Sequence, residues 1–589
     1  VLDDLGESDE PDAEGIGEEM KIEDPSIGMA YQALPSSMGI SFFISGTTSI
    51  ECRVEGAIYE HGSDGKWART ELAGPDSPKC VELECPRVGK QDLSKKKIFD
   101  GRAELATIFR PREGGHLVTV SLVNRNPPPR TRSIRNHVPA MLFQCRFAVV
   151  LKDGSIGEYP TILRYARHEE DEELALVYRN RKTFGIGHGC AAVWDWNTAQ
   201  DGLREIRADP LPVVEVKGLT NNIDLPAEAA SVLSLQWLAS EDTPREQLAE
   251  ALRKFADCYD EWIEKQATLA DKLEPREAAT RIVARQQAAS DRIRRGIDVL
   301  TGDGNDDVLA AFRISQEAML KQFVWSAKSK NPCNLGEADT GRADIWSDEY
   351  SELFKWRPFQ LAFQLLALES LAVPESSNRE TLDLLWFPTG GGKTEAYLAL
   401  ASFEIALRRR RYMASGYGTT VLMRYTLRLL TSQQFERCAT LISVLETMRK
   451  QRPELCLGDD PISLGLWVGA QTTPNQLNNE SEKFPGARQL FEERVLHDLK
   501  PENPFQLLKC PCCGTRIVPE RHSPRNHYGL KVDQYEFRMF CPDENCELHE
   551  HIPVSVVDDD LYQRSPTILI GTIDKFARMA WDARSRVFL

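Results

Sequence analysis

Between Leu384 and Leu407 the chain reads LLWFPTGGGKTEAYLALASFEIAL. The apolar run ending at Trp386–Phe387 predicts a strand, the Gly-rich stretch a tight turn, and Lys393-Thr394 the opening of an amphipathic helix. Backbone N–H groups of such a turn converge on phosphate oxygens, and the helix N-terminus adds partial positive charge. In that arrangement Lys393 reaches the β/γ-phosphates of ATP and the Thr394 hydroxyl holds Mg²⁺. The strict phosphate-loop pattern asks for Gly where Phe387 stands, but strand, turn and helix are in the right order. Thr389, Gly390, Gly391, Gly392, Lys393, Thr394 and Glu395 are the expected nucleotide-binding residues, with Lys393 and Thr394 the catalytic pair.

Working outward, Trp356-Arg357-Pro358-Phe359-Gln360 stands some twenty residues before the predicted strand. A Gln side chain can bond both N6 and N7 of adenine, so Gln360 is the expected adenine reader. Its spacing from the Gly-rich loop resembles the Q motif of superfamily 2 helicases. Downstream, VLMRYTLRLLTSQQFER joins an apolar strand to Thr426 and Arg428, and TILIGTIDKFARMAW joins another to Thr572 and Lys575. These stretches resemble motifs Ia and Ib of the same superfamily, in which polar groups at strand ends hold a nucleic-acid backbone. Contacts of that kind carry no sequence information. Each of the four residues has a plainer alternative as a helix cap or turn residue.

Cys510 and Cys513 form a CxxC knuckle, and Cys541 and Cys546 a CxxxxC pair after a 27-residue spacer. Four thiolates on two loops satisfy a closed tetrahedral Zn²⁺, which is a structural arrangement. The second pair is longer than CxxC, so His549, His551 or Cys512 can stand in for one ligand. No three-ligand set with a neighbouring base suggests a catalytic metal. The other cysteines, such as Cys52, Cys145 and Cys258, are scattered, which suits a reducing cytosol.

The remaining chain divides by pattern. From about Gly39 to Val216 period-2 alternation predicts antiparallel strands. MLFQCRFAVVLKDG puts Phe143, Cys145, Phe147, Val149 and Leu151 on one face before a turn at Asp153-Gly154, and HLVTVSLVNR stops at Pro127. Arg125, Arg130, Arg132 and Arg135 flank the prolines as a phosphate-touching or simply solvated loop, and Glu169 to Glu173 reads as a solvated loop tip. From about Asn221 to Lys328 the period becomes helical. Thr243-Pro244-Arg245-Glu246 predicts a capping box, and Leu248, Leu252, Phe255, Tyr259, Trp262 and Ile263 a core-facing stripe. Ser329 to Ala343 is a loop. Beyond Tyr350, helices alternate with the strands LDLLWF, TTVLMR, ISLGLWV and TILIGT, which predicts a parallel sheet.

The 589 residues are 41% apolar and carry 72 Lys and Arg against 89 Asp and Glu, a net charge of −17. That excludes a generally basic nucleic-acid coat protein, though not a local basic groove. Eleven carboxylates and one Lys fall in the first 24 residues, and the balance without them is −7. The leader reads as a disordered acidic segment, or as a strip that imitates phosphates along a nucleic-acid path. No apolar run is long enough for a membrane span and no signal-peptide pattern opens the chain, so a soluble, cytoplasmic chain is expected.

Together WRPFQLAFQLL, WFPTGGGKTEAYLAL, VLMRYTLRLLTSQQFER, LGLWVGAQTTPN, the Cys cluster and PTILIGTIDKFARMAW resemble the DrmA-type helicase subunit family of bacterial DISARM anti-phage systems. ALPSSMGISFFI, FGIGHGC and AFRISQEAMLKQ carry the same resemblance earlier in the chain. It implies ATP-dependent helicase or translocase action on DNA that is single-stranded or has single-stranded ends, beside a companion DISARM subunit, in defence against phage DNA. It also implies an acidic insert that gates the DNA path, of which the leader would be the tail. A motor of this superfamily needs a Walker B Asp-Glu pair after motif Ib. None follows before Leu589, Asp558 and Asp559 precede Ib and lack the Glu, and the chain opens on Val1. The expectation is an N-terminal portion that alone binds ATP weakly and scarcely hydrolyses it.

The expected architecture is multidomain α/β. An acidic leader (1–30) and a β-rich domain (31–216) precede a helical connector (217–343) and a first RecA-like domain (344–589). A zinc ribbon is inserted at 505–555, and the chain ends before Walker B. The rival functions are a non-catalytic ATP- and DNA-binding scaffold that recruits a partner, and an RNA-dependent ATPase.

Overall fold

The computed structural model describes residues 36–589 apart from 63–64, 88, 128–137, 161–167, 196–201, 214–222, 224, 342–343, 387–391, 427–431 and 479–483. The leader 1–30 and Arg130, Arg132 and Arg135 lie outside the described residues. The fold is mixed α/β in two compact units, one through Lys217 and one from Gly218. No helix among the described residues is long and apolar enough to cross a membrane.

Among its described residues the first unit holds twelve strands: β1 (Ser37–Ser45), β2 (Ser49–His61), β3 (Trp67–Ala73), β4 (Lys79–Glu84), β5 (Asp92–Ile98), β6 (Ala103–Arg112), β7 (Gly115–Asn124), β8 (Phe143–Leu151), β9 (Ser155–Gly157), β10 (Gly185–His188), β11 (Ala191–Val193) and β12 (Glu205–Asp209). One antiparallel sheet runs β10-β1-β7-β6-β5 with β9 beside β1, the other β11-β12-β8-β2-β3 with β4 beside β2. Alternation buries Ile40, Phe42, Leu105 and Val118 of the first sheet in one core with Cys52, Val54, Phe147 and Ile206 of the second. The acidic run does not form a loop tip. Glu169–Val177 is a helix, and four carboxylates occupy its first turn, where the positive end of the helix dipole favours them.

After the short helices Ala227–Ala230 and Leu235–Ala239, the described residues of the second unit form three long helices, Arg245–Ala270, Arg276–Thr301 and Asp306–Lys328. The capping box at Thr243 is not made, because the Thr243 hydroxyl bonds the Trp237 carbonyl oxygen at 3.2 Å instead. Leu248, Leu252, Phe255 and Ile263 are buried as the stripe predicts, but Trp262 sits outside the core and stacks on Tyr259. Gly296 lets two helices touch, since a Cβ there would lie 1.8 Å from the Leu365 carbonyl oxygen of helix Pro358–Ala372. Helices Lys393–Tyr412 and Ser432–Gln451 bury their apolar faces in the same core.

The strands here are β13 (Val421–Tyr425), β14 (Leu464–Trp467), β15 (Leu530–Val532), β16 (Phe537–Met539), β17 (Val554–Ser555) and β18 (Ile568–Thr572). Four form a parallel sheet in the order β13-β18-β14-β17, and β15 pairs with β16. The strand expected to end at Trp386 is not formed over its described residues. Leu382, Leu384 and Trp386 are 93%, 84% and 74% exposed, and none pairs with a described strand. Asp383 is instead held by a bidentate ion pair with Arg292, and a cavity of about 570 Å³ is lined by Thr381, Asp383 and the β13 residues Val421, Leu422 and Met423.

Candidate nucleotide, metal and nucleic-acid sites

Thr389, Gly390 and Gly391 lie outside the described residues; Gly392, Lys393, Thr394 and Glu395 do not. Gly392 stands immediately before helix Lys393–Tyr412 with φ +85°, a left-handed conformation that favours glycine. Its carbonyl oxygen accepts a 2.7 Å hydrogen bond from Gln360 Nε2, while Gln360 Oε1 accepts from the Arg357 backbone N–H at 2.8 Å. The two strings picked out by sequence thus meet, with both ends of the Gln360 amide engaged. Gln360 is buried at the start of its helix, where Pro358 fixes the first turn.

A chain of buried amides stands behind it. Trp356 Nε1 donates to Gln316 Oε1 at 2.6 Å, Gln316 Nε2 to Gln364 Oε1 at 3.0 Å, and Gln364 Nε2 to the Gln360 carbonyl oxygen at 3.2 Å. Such a network rigidifies when its members are satisfied. Sequence reasoning missed Gln316 and Gln364. The one available signal was a polar residue at core-facing helical spacing. Glu395 pairs with Arg437 of the following helix.

Thr426 follows β13 and is exposed, whereas Arg428 lies outside the described residues. Thr572 ends β18 directly opposite Tyr425, so Thr426 and Thr572 sit at the carboxyl ends of adjacent parallel strands. Ligands of open parallel sheets bind along that edge. Thr572 is nevertheless buried, and Lys575 is only 8% exposed. Lys575 Nζ makes a buried ion pair with Asp558 and lies 5.6 Å from the Trp467 ring centroid. Burial pushes the Asp558 carboxyl up to about 6, against the pull of Lys575.

The sulfurs of Cys510, Cys513, Cys541 and Cys546 all lie within 4.8 Å of one another and are buried. Cys510 and Cys546 are 3.7 Å apart, Cys513 and Cys541 3.6 Å. Thiolates about 2.3 Å from a tetrahedral zinc stand roughly 3.8 Å apart, so this set fits a metal such as zinc. The stand-in ligands are not needed: His549 Nδ1 bonds the Cys541 carbonyl oxygen, and His551 and Cys512 are outside the four-sulfur set. Cys333, which sequence reasoning passed over, bridges to Thr515 beside the knuckle. Its N–H donates to the Gly514 carbonyl oxygen at 3.0 Å, and its carbonyl oxygen accepts from the Arg516 N–H at 2.9 Å. Lys509 Nζ donates to the carbonyl oxygens of Ser329 and Lys330. The cysteine cluster therefore grips the loop that leaves helix Asp306–Lys328.

These features define a mixed α/β protein that combines, among its described residues, a glycine-to-helix turn, a four-stranded parallel sheet and a buried four-cysteine cluster able to hold a metal. No family model matches it. It is 35% identical over 489 residues to DISARM protein DrmA of Bacillus paralicheniformis, a match that takes in 80% of this chain and 40% of that protein. The chain belongs to the DrmA type. The match spans about two fifths of the length of that relative.

Proposed function

We propose that this chain is part of an ATP-driven DNA helicase or translocase that works with a companion DISARM subunit in the bacterial cytoplasm against phage DNA. The observation that carries the reading is the convergence of Gln360 and Gly392 at the head of the Lys393 helix. In a RecA-like domain this is where ATP would lie, with Lys393 on its phosphates, Thr394 on Mg²⁺, and Thr389 to Glu395 around them. Gln360 would read adenine with the second proton of Nε2 and the second lone pair of Oε1, keeping its bonds to Gly392 and Arg357. Thr426, Arg428, Thr572 and Lys575 remain the proposed DNA contacts, and the four cysteines the ligands of a structural zinc. The acidic leader would gate the DNA path.

Support comes from the DISARM name of the relative and from the parallel sheet with its candidate contacts along one edge. The rival is a non-catalytic ATP- and DNA-binding scaffold that recruits a partner; the burial of Thr572 and Lys575 counts against their touching DNA in either reading. The test is ATP hydrolysis by the full-length protein, with and without single-stranded DNA or RNA, beside Lys393→Ala. DNA-stimulated turnover abolished by Lys393→Ala is the expected result. Lys393-dependent ATP binding without turnover would sink the motor and leave the scaffold, and stimulation by RNA alone would point to an RNA-dependent ATPase.

A further inference from the structure

A cavity of about 570 Å³ beside Trp467 is lined by groups that the proposed ATP site does not use. That volume falls within the range of small-ligand sites, about 300–1,000 Å³. Asp558 forms part of the wall and is 3% exposed. Lys575 takes one of its oxygens, and the other, Oδ1, has no hydrogen-bond partner among the described residues. Leaving a buried acceptor unmatched is costly, so an incoming hydrogen-bond donor would be favoured. Trp581 also lines the cavity, yet it is 88% exposed and has no ring partner among the described residues. Arg578 lines it without an ion pair among them, while Arg584 is spent on Asp582 and the face of Tyr562.

An open indole, an unmatched carboxylate oxygen and an uncommitted guanidinium together fit a flat heterocycle that carries an amino group and is joined to an anion. A free nucleoside triphosphate would ask for more cations and a phosphate cradle. We infer that this cavity takes one unstacked base of a single-stranded nucleic acid, stacked on Trp581, with Arg578 on a flanking phosphate and the base's amino group donating to Asp558. Stacking on an exposed aromatic is the usual way single strands are held, and a carboxylate accepts well from the 4-amino group of cytosine. The inference rests on the nucleic-acid reading above and extends it, because backbone contacts alone would be blind to base identity.

Cytosine and uracil differ at position 4, an amino donor against a carbonyl acceptor, so oligomers of deoxycytidine and deoxyuridine isolate the Asp558 contact. With the full-length protein and fluorescence anisotropy, the cytosine oligomer is expected to bind several-fold tighter. Trp581→Ala, a surface change that leaves the fold alone, should lower that affinity by roughly fivefold or more. Asp558→Asn, whose amide can donate to the uracil carbonyl, should shrink or reverse the preference. Equal affinities that Trp581→Ala leaves unchanged would overturn the pocket while sparing nucleic-acid binding. Failure of the full-length protein to bind either oligomer would overturn both.

Discussion

Gln360 and Gly392, 32 residues apart, are joined by a 2.7 Å hydrogen bond from the side-chain amide of the first to the carbonyl oxygen of the second. The bond holds the left-handed residue that aims Lys393, so the glutamine positions the turn as well as standing where a base would be read.

Replacing Gly392 by Ala meets two obstacles at once. The φ of +85° disfavours a side chain, and the new Cβ would lie 2.7 Å from Gln360 Nε2. Gly392→Ala is expected to weaken ATP binding at least tenfold, measured by equilibrium titration. Gln360→Glu keeps an acceptor for the Arg357 N–H but loses the donor to Gly392, so its loss should be smaller, about fivefold to tenfold.

Removing the metal should loosen a loop distant in sequence from its ligands. In Cys513→Ser, or after chelation, bound zinc is expected to fall from one per chain to none. Alkylation of the half-buried Cys333, followed by peptide mass mapping, should accelerate as its pairing with Thr515 dissolves. Unchanged Cys333 reactivity in metal-free protein would show that the loop holds without the cluster.

Glu404 supplies a pH test. Burial pushes its carboxyl from 4.5 up to about 7, and its Oε2 has no hydrogen-bond partner among the described residues. An acid with a raised folded-state pKa takes up its proton in the native state first. Its contribution to stability therefore rises as pH falls from above 7 toward 4.5, and its burial cost is fully present at pH 8. Glu404→Gln should accordingly stabilise the protein at pH 8 by on the order of 1–3 kcal/mol. The gain should vanish by about pH 5, as thermal denaturation of both proteins across that range would show.

Gly296→Ala should destabilise by roughly 1–3 kcal/mol, since the added methyl meets backbone at Leu365 rather than a side chain that can swing away. Chemical denaturation of the variant checks this, and a neutral result would mean that the two helices separate easily.

Much of this architecture is legible in the residues. Alternation around Phe147 and Val149 marks buried strand faces, and short apolar runs such as ILIGT mark the parallel sheet. The CxxC spacing suggests a metal site, and the fold gathers four sulfurs where spacing alone left His549, His551 and Cys512 as alternatives. Where reading failed, the missing quantity was a partner. Leu382 to Trp386 has strand composition, but a strand also needs a neighbour to bond, and Arg292 claims Asp383 instead. Thr243 has capping chemistry, but the Trp237 carbonyl oxygen was nearer. Asp558 and Lys575 were each visible, yet nothing local says that residues 17 apart neutralise one another.

The grip of the cysteine cluster on the Cys333 loop also sets a clock on biogenesis. Cys333 and Cys513 are 180 residues apart, and chains emerge at about 5–20 residues per second, so the loop waits roughly 10 to 40 s for the knuckle it docks on. Through that interval the end of helix Asp306–Lys328 lacks the knuckle, and if the four sulfurs take a metal, its fastening waits on that ion as well. Cells short of zinc would accumulate chains whose long helices are complete but unfastened, open to proteolysis at the 329–341 loop.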